Sequence, residues 1–416
     1  MSFMVNKYFN RVTILLTIVS TIIQGCVNYS IMEETEALER LEKKYNDSFN
    51  YVTDDSDEFV TKVIIKKNKE LTEFPNELKA FKKLRRISLL NCNIKEIPYF
   101  VTEFDSLEEI AVVGSPIQEL PDFLGKIKTL RSLNISGTDI SEFPESLYEL
   151  PIRTLILKGS KVVGFPESLY HWDKSLKILA LEKADNLPSD MSRFTKLDWL
   201  YAELKSFKFV DEIPNLRILY LNNSTAKYLP ENLGNLQKLE DLNLKDCKNL
   251  VKLPNSIGNL SLLESINLGG CERLTGLPQS MAKLKLGSII LDRCYNLKSI
   301  TSGLTVGSIV ARDTKWKSMP LGVFKSTAHD LWVTNHQITD ITGIGNLYNL
   351  ESCNLSYGKI KKIPEGVGRL KKLYTFSIEH NEIDFVPSAV ENAPELDGVR
   401  TFGNPAYDME QLNNTN

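Results

Sequence analysis

Residues Leu239 to Pro254 read LEDLNLKDCKNLVKLP, with apolar side chains at Leu239, Leu242, Leu244, Leu250 and Leu253, Cys247 between them, and Pro254 closing the run. The central part, Asp241 to Lys245, alternates polar and apolar residues, the period of a strand with one face buried. A strand this short cannot enclose its own leucines. It needs a copy of itself on either side.

The copies are present. Prolines that follow an apolar residue stand at 75, 98, 121, 144, 166 and 188, then at 230, 254 and 278, then at 320, 364 and 387. Most intervals are 22 to 24 residues, and the three above forty each hide one unit without its proline, near Val210, Ile300 and Ile341. Fifteen units follow, and the frame of residues 239–254 fits Leu84, Ile87, Leu89, Cys92, Ile94 and Ile97 as well as Leu130, Leu133, Ile135, Thr138, Ile140 and Phe143. The pattern L-x-x-L-x-L-x-x-N/C-x-L resembles the leucine-rich repeat, and the resemblance runs from about Val60 to Val386. The phrase LPNSIGNL resembles repeats of plant disease-resistance receptors, bacterial effectors and bacterial lipoproteins alike.

The expected fold is an α/β repeat solenoid: an arc or horseshoe with a parallel concave sheet of about fifteen strands and short helices or turns on the convex side. At ~4.8 Å per strand the sheet would run about 70 Å. The Asn/Cys position holds Asn68, Cys92, Ser115, Thr138, Ser160, Ser224, Cys247, Cys271, Cys294, Thr314 and Asn381, small groups suited to meeting backbone where the chain turns inward; His336 and Gly358 read as breaks in this ladder. Proline is expected at the first position of each outer turn, where its missing N–H costs nothing. Domain boundaries follow: repeats over 59–392, and a C-terminal cap and tail over 393–416, including Leu396, Val399 and Gly403 to Pro405.

Residues 1–25 read as a signal peptide, with Lys7 and Arg11 before the apolar run Val12 to Ile23. Twelve helical residues rise only ~18 Å, short of a ~30 Å bilayer core. Ile23-Gln24-Gly25-Cys26 resembles the lipobox of bacterial lipoproteins, although Gln24 departs from the usual small residue. The resemblance implies a lipid-modified Cys26 as mature N-terminus, and a protein of the cell envelope, anchored in the outer membrane or at the cell surface. Residues 26–58 then form a lipidated acidic tether, with ten Asp or Glu against three Lys or Arg from Ile31 to Glu58. Leu38, Leu41 and Tyr45 stand at helical spacing within it, so the tether is either a solvated spacer or a capping helix docked on the repeats.

Composition excludes several classes. With 42% apolar and 25% charged residues in 416, the chain is not a polytopic membrane protein, a collagen or a disordered polymer. A net charge of −3 gives no whole-chain reason to expect nucleic acid. No Walker A loop, zinc-type Cys/His spacing, nucleophile elbow or H-E-x-x-H occurs, so neither catalysis nor a cofactor or metal is expected. Some bacterial leucine-rich-repeat effectors carry a ubiquitin-ligase domain beyond the array, whereas this sequence ends with the array. The ladder cysteines read as buried thiols, with the alternative of disulfides among Cys247, Cys271 and Cys294 in successive units.

Alternation also exposes a second set of side chains, on the concave face. One aromatic patch collects Ile156, Ile178, Trp199, Tyr201, Ile218 and Tyr220; a smaller, mixed one collects Ile290, Asp292, Val310, Arg312 and Trp332, with Asp241, Asn243, Lys245, Ser265, Asn267 and Gly269 as a polar gap between. Outward aromatics either anchor a ligand or pack across strands to support the sheet. The expected function is non-enzymatic: a membrane-anchored leucine-rich-repeat lipoprotein binding a protein or peptide ligand on its concave face. Two alternatives stand beside it, an adhesive or structural cell-envelope protein and a secreted effector or receptor-like signalling protein.

Overall fold

The computed structural model describes residues 33–406 apart from 163, 186, 208–212, 392 and 393. The signal sequence and Cys26 therefore lie outside the described residues, as does the unit near Val210 at its missing proline. The described chain forms two compact units. One comprises the residues up to Val162 together with Ser168–Leu176, the other the remainder.

In the first unit β1 (Phe49–Thr53) pairs antiparallel with β2 (Val60–Lys66), and β3 (Arg86–Leu90), β4 (Glu109–Val113), β5 (Ser132–Asn134) and β6 (Thr154–Ile156) follow in parallel. The register aligns Lys62, Arg86, Glu109, Ser132 and Thr154 in one outward column. Alternate residues, Val63, Ile87, Ile110, Leu133 and Leu155, are buried on the other face, as the two-residue period requires. Ahead of β1, residues 33–45 are helical. Their buried stripe is Ala37, Leu41 and Tyr45, while Leu38 is only half-buried; Glu34 is buried too, and its Oε2 accepts the Val60 N–H at 2.8 Å.

The second unit contains β7 (Ile178–Ala180), β8 (Trp199–Tyr201), β9 (Ile218–Tyr220), β10 (Asp241–Asn243), β11 (Ser265–Asn267), β12 (Lys285–Ile290), β13 (Thr305–Arg312), β14 (Asp330–Thr334), β15 (Ser352–Asn354), β16 (Thr375–Ser377) and β17 (Val399–Arg400). Each pairs in parallel with the next. The two longest, β12 and β13, flank Ile300, where the proline is missing and the chain returns to a strand with no 3-10 turn.

In most other units a short 3-10 helix follows the proline, as in Asn76–Ala80 and Asn255–Asn259, while Pro387 leads into a four-residue α-helix, Ser388–Glu391. Proline stands one position earlier than expected. Pro75 and Pro254 are extended, with φ −61 and −70, and the Pro75 carbonyl accepts the Leu78 N–H at 3.2 Å. The ring thus fixes φ at the residue that leads into the turn. None of the helices among the described residues is long and apolar enough to cross a membrane.

Between strand and turn lies the ladder. Cys247, Cys271 and Cys294 are free, buried thiols, each donating to a carbonyl of the preceding repeat: Leu221 O at 3.1 Å, Leu244 O at 3.3 Å and Leu268 O at 3.1 Å. Disulfides among them are not formed. His336 does not break the ladder but fills it. Its Nδ1 accepts the Ile338 N–H and its Nε2 lies 3.1 Å from Leu355 O, so the neutral ring carries its proton on Nε2. Asn381 does the same work against the preceding repeat, accepting from Ile360 N–H at 3.0 Å and donating to Leu355 O at 2.9 Å. Asn404, in the degenerate last repeat, extends the ladder: it is fully buried and accepts from the N–H groups of Asn381 and Ile383.

Candidate binding surface

The candidate residues divide between the units. Ile156 belongs to β6 of the first; Ile178, Trp199, Tyr201, Ile218 and Tyr220 sit on β7 to β9 of the second. Within the second unit the register aligns Ile178, Trp199 and Ile218 in one column and Ala180, Tyr201 and Tyr220 in the next.

These side chains differ in what they offer. Trp199 is 36% exposed and meets Tyr220 edge to face, ring centroids 5.8 Å apart. Tyr220 is half-buried, and its hydroxyl donates to Asp241 Oδ2 at 2.9 Å. Burial first, and then the adjacent carboxylate, push the Tyr220 phenol up to about 12. Burial likewise raises Asp241, an effect the Tyr220 hydroxyl partly offsets. Tyr201 departs from the expected anchor: it is only 8% exposed. Its hydroxyl donates to Glu203 Oε1 at 3.1 Å, two residues along its own chain. Glu203 Oε1 also accepts from Asn223 Nδ2 at 3.1 Å. Asp241, read from sequence as part of a polar gap, is thus joined to the aromatic patch.

The second candidate patch spans β12 to β14. Ile290 and Val310 are half-buried neighbours in register, and Trp332 beside Val310 is 45% exposed. Arg312 forms a two-pronged contact with Asp292 Oδ2, at 3.0 Å through Nε and 2.6 Å through Nη2, while its own N–H binds Asp292 Oδ1 at 2.7 Å. Asp292 and Arg312 are therefore mutually satisfied, leaving Trp332 as the free hydrophobic element. The carboxylate of Asp330, next to it on the same face, makes no ion pair or hydrogen bond among the described residues, and burial, followed by the charge of Glu351, raises its pKa. Sequence reading passed over Glu351. Its place in register beside His329 and Asp330 is visible only once strands are aligned.

No group of three or more His, Cys, Asp or Glu among the described residues is placed to hold a metal ion. No protein-family model matches the chain. Over 80 residues it is 38% identical to disease resistance protein RPS4B of Arabidopsis thaliana, a stretch covering 18% of this chain and 7% of that protein. Its fold is similar to that of the leucine-rich-repeat protein LIC12759 of Leptospira interrogans, with TM-score 0.57 and 21% identity over 84% of this chain and 93% of that one. It is also similar to a chain of the Toll–Spatzle complex of Drosophila, with TM-score 0.52 and 16% identity, covering 79% of this chain and 45% of the other.

Proposed function

We propose that this chain, a leucine-rich-repeat protein by its repeats and its fold, is a non-enzymatic binding module that takes a protein or peptide ligand on the outward face of its parallel sheet. The observation that carries the reading is Trp199, held edge-on by Tyr220 and still exposed on a sheet face that has no core to fill. Aromatic side chains fixed in this way lose little conformational freedom on binding and dominate interface energetics. The fold it shares with a chain of the Toll–Spatzle complex supports the same reading. Ile178 and Ile218 flank Trp199 in register and complete the apolar ground of the site.

The lipobox-like Ile23-Gln24-Gly25-Cys26 supports a lipid anchor at Cys26 that places the module in the cell envelope, at the outer membrane or cell surface. Two acyl chains or more hold a protein where one is marginal. Replacing both Trp199 and Tyr220 by alanine should abolish partner capture without altering the circular dichroism of the fold. Undiminished capture by that variant would dispose of the site. Cys26→Ala should move the protein from membrane to soluble fractions.

A further inference from the structure

The net charge of −3 conceals a division between the sheet faces. In each repeat four residues lie on the outward side of the strand, as Glu240, Asp241, Asn243 and Lys245 do around β10. The pairing registers identify their equivalents in every repeat. From β7 to β16, in the second unit, these positions hold ten carboxylates against four Lys or Arg. From β2 to β6, in the first unit, they hold two carboxylates against seven Lys or Arg.

Ion pairing leaves most of the excess in the second unit in place. Arg217 is engaged by Asp198 and Glu240, and Arg312 by Asp292. Seven carboxylates remain without an ion pair among the described residues: those of Glu182, Glu203, Asp241, Glu264, Asp330, Glu351 and Glu379. Some stand beside the exposed rings, Asp330 with Trp332 and Asp241 with the Trp199–Tyr220 pair. A ring face next to a carboxylate is the pairing that receives an ammonium or guanidinium group, through its quadrupole and through charge.

Resting on the outward-face reading above, we propose that the ligand meets the second unit with a cationic polypeptide segment, its Lys or Arg side chains received at Trp332 with Asp330 and Glu351 and at Trp199 with Asp241. The two aromatic positions are six strands apart, about 29 Å along the sheet, which about nine residues of extended chain would span. Complementary charge of this kind acts mainly on encounter rate and on choice of partner, and salt weakens it.

The test uses the full chain and two synthetic ten-residue peptides, one alternating Arg with Gly and Ser and the other carrying Glu in place of Arg, each fluorescently labelled. Anisotropy at 50 mM salt should show binding of the Arg peptide and not the Glu peptide, with affinity at least tenfold lower at 300 mM. Asp330→Asn with Glu351→Gln should weaken Arg-peptide binding about tenfold, and Trp332→Ala by a similar factor, while Lys62→Ala with Arg86→Ala in the first unit leaves it unchanged. Equal binding of both peptides, no binding of the Arg peptide, or indifference to the Asp330 and Glu351 changes would overturn the proposal. Loss of partner capture in the Trp199→Ala, Tyr220→Ala protein alongside any of those results would leave the outward-face reading standing, and retained capture would remove that reading separately.

Discussion

His336 and Gly358 share one space. They occupy successive positions of the ladder, and a Cβ built on Gly358 would collide with Cε1 of the His336 ring and approach Asn381 Oδ1 to 2.6 Å. The imidazole has taken the place of the smaller amide found at Asn381, and the next rung has lost its side chain to admit it. The two apparent defects in the repeat are one compensated exchange.

Gly358→Ala should therefore destabilise the second unit by about 1–3 kcal/mol, the usual range for overpacking a closed site. His336→Asn in the same chain should recover part of that loss, because the bulky ring is gone while an acceptor for the Ile338 N–H remains. A double-mutant cycle in urea measures the coupling. Additive effects of the two changes would show that the ring and the missing Cβ do not compete.

The same histidine makes stability depend on pH. Burial lowers its pKa from the ordinary 6.5, and the protonated ring would turn an N–H toward the Ile338 N–H that Nδ1 now accepts. A folded-state value below the unfolded one means that the unfolded chain binds the extra proton first. The contribution is full above about pH 6.5 and declines as the pH falls from there toward the lowered folded value. Between pH 7 and pH 5 the native protein should lose more stability than His336→Asn. Parallel denaturation midpoints for the two proteins over this interval would refute it.

The ladder cysteines give a chemical readout. Burial pushes the thiols of Cys247 and Cys294 up to about 12, and raises Cys271 between them further. That far above the ordinary value, Cys247 and Cys294 hold little thiolate near neutral pH, and the thiolate is the reactive species. Iodoacetamide at pH 8 should leave all three unmodified in the native protein and alkylate them in guanidinium. Rapid native labelling of any one, located by peptide mass, would show that its rung is open.

Gly270 allows a contact between repeats that are not neighbours. Arg293 Nη2 reaches across it to Asp246 Oδ1 at 2.8 Å, and a Cβ on Gly270 would run into that same carboxylate oxygen. Its φ of 78 is also one that side chains resist. Gly270→Ala should cost more stability than Asp246→Asn, which keeps the shape of the side chain at its left-handed φ of 59 and removes a partly exposed ion pair worth about 0–1 kcal/mol. Thermal melts of the two variants decide the order.

Much of this was legible in the sequence, and the reason is periodicity. Leu242, Leu244 and their equivalents recur at a fixed interval, so strand, register and buried face follow from counting, as does the outward position of Trp199 and Trp332. What counting missed depends on side-chain torsions or on contacts across repeats. Nothing in the spacing shows that an imidazole can accept and donate as an amide does, so His336 read as a fault. Tyr201 and Tyr220 occupy equivalent positions, yet one hydroxyl turns to Glu203 and the other to Asp241, and the Tyr220 ring packs edge to face with Trp199. The opposite charge of the two sheet faces was present in the letters but cancels in any whole-chain sum. β1 was missed because Phe49–Thr53 carries no leucine of the repeat.

β1 and the helix before it close an edge. Without them β2 would present unpaired backbone groups along Val60–Lys66, the template on which other chains add. β1 covers that edge from Phe49 opposite Ile65 to Thr53 opposite Val60, and Glu34 satisfies the Val60 N–H from the helix. Leu41, fully buried on the inward side of residues 33–45, holds the helix in place. Leu41→Ala should cost about 2–5 kcal/mol, the range for a buried leucine truncated to alanine. Glu34→Gln keeps an acceptor for Val60 and should cost far less. If the cap protects the edge, Leu41→Ala should also raise light scattering at concentrations where the parent stays clear. A destabilised but monodisperse Leu41→Ala protein would mean that β1 remains paired when its supporting helix is loosened.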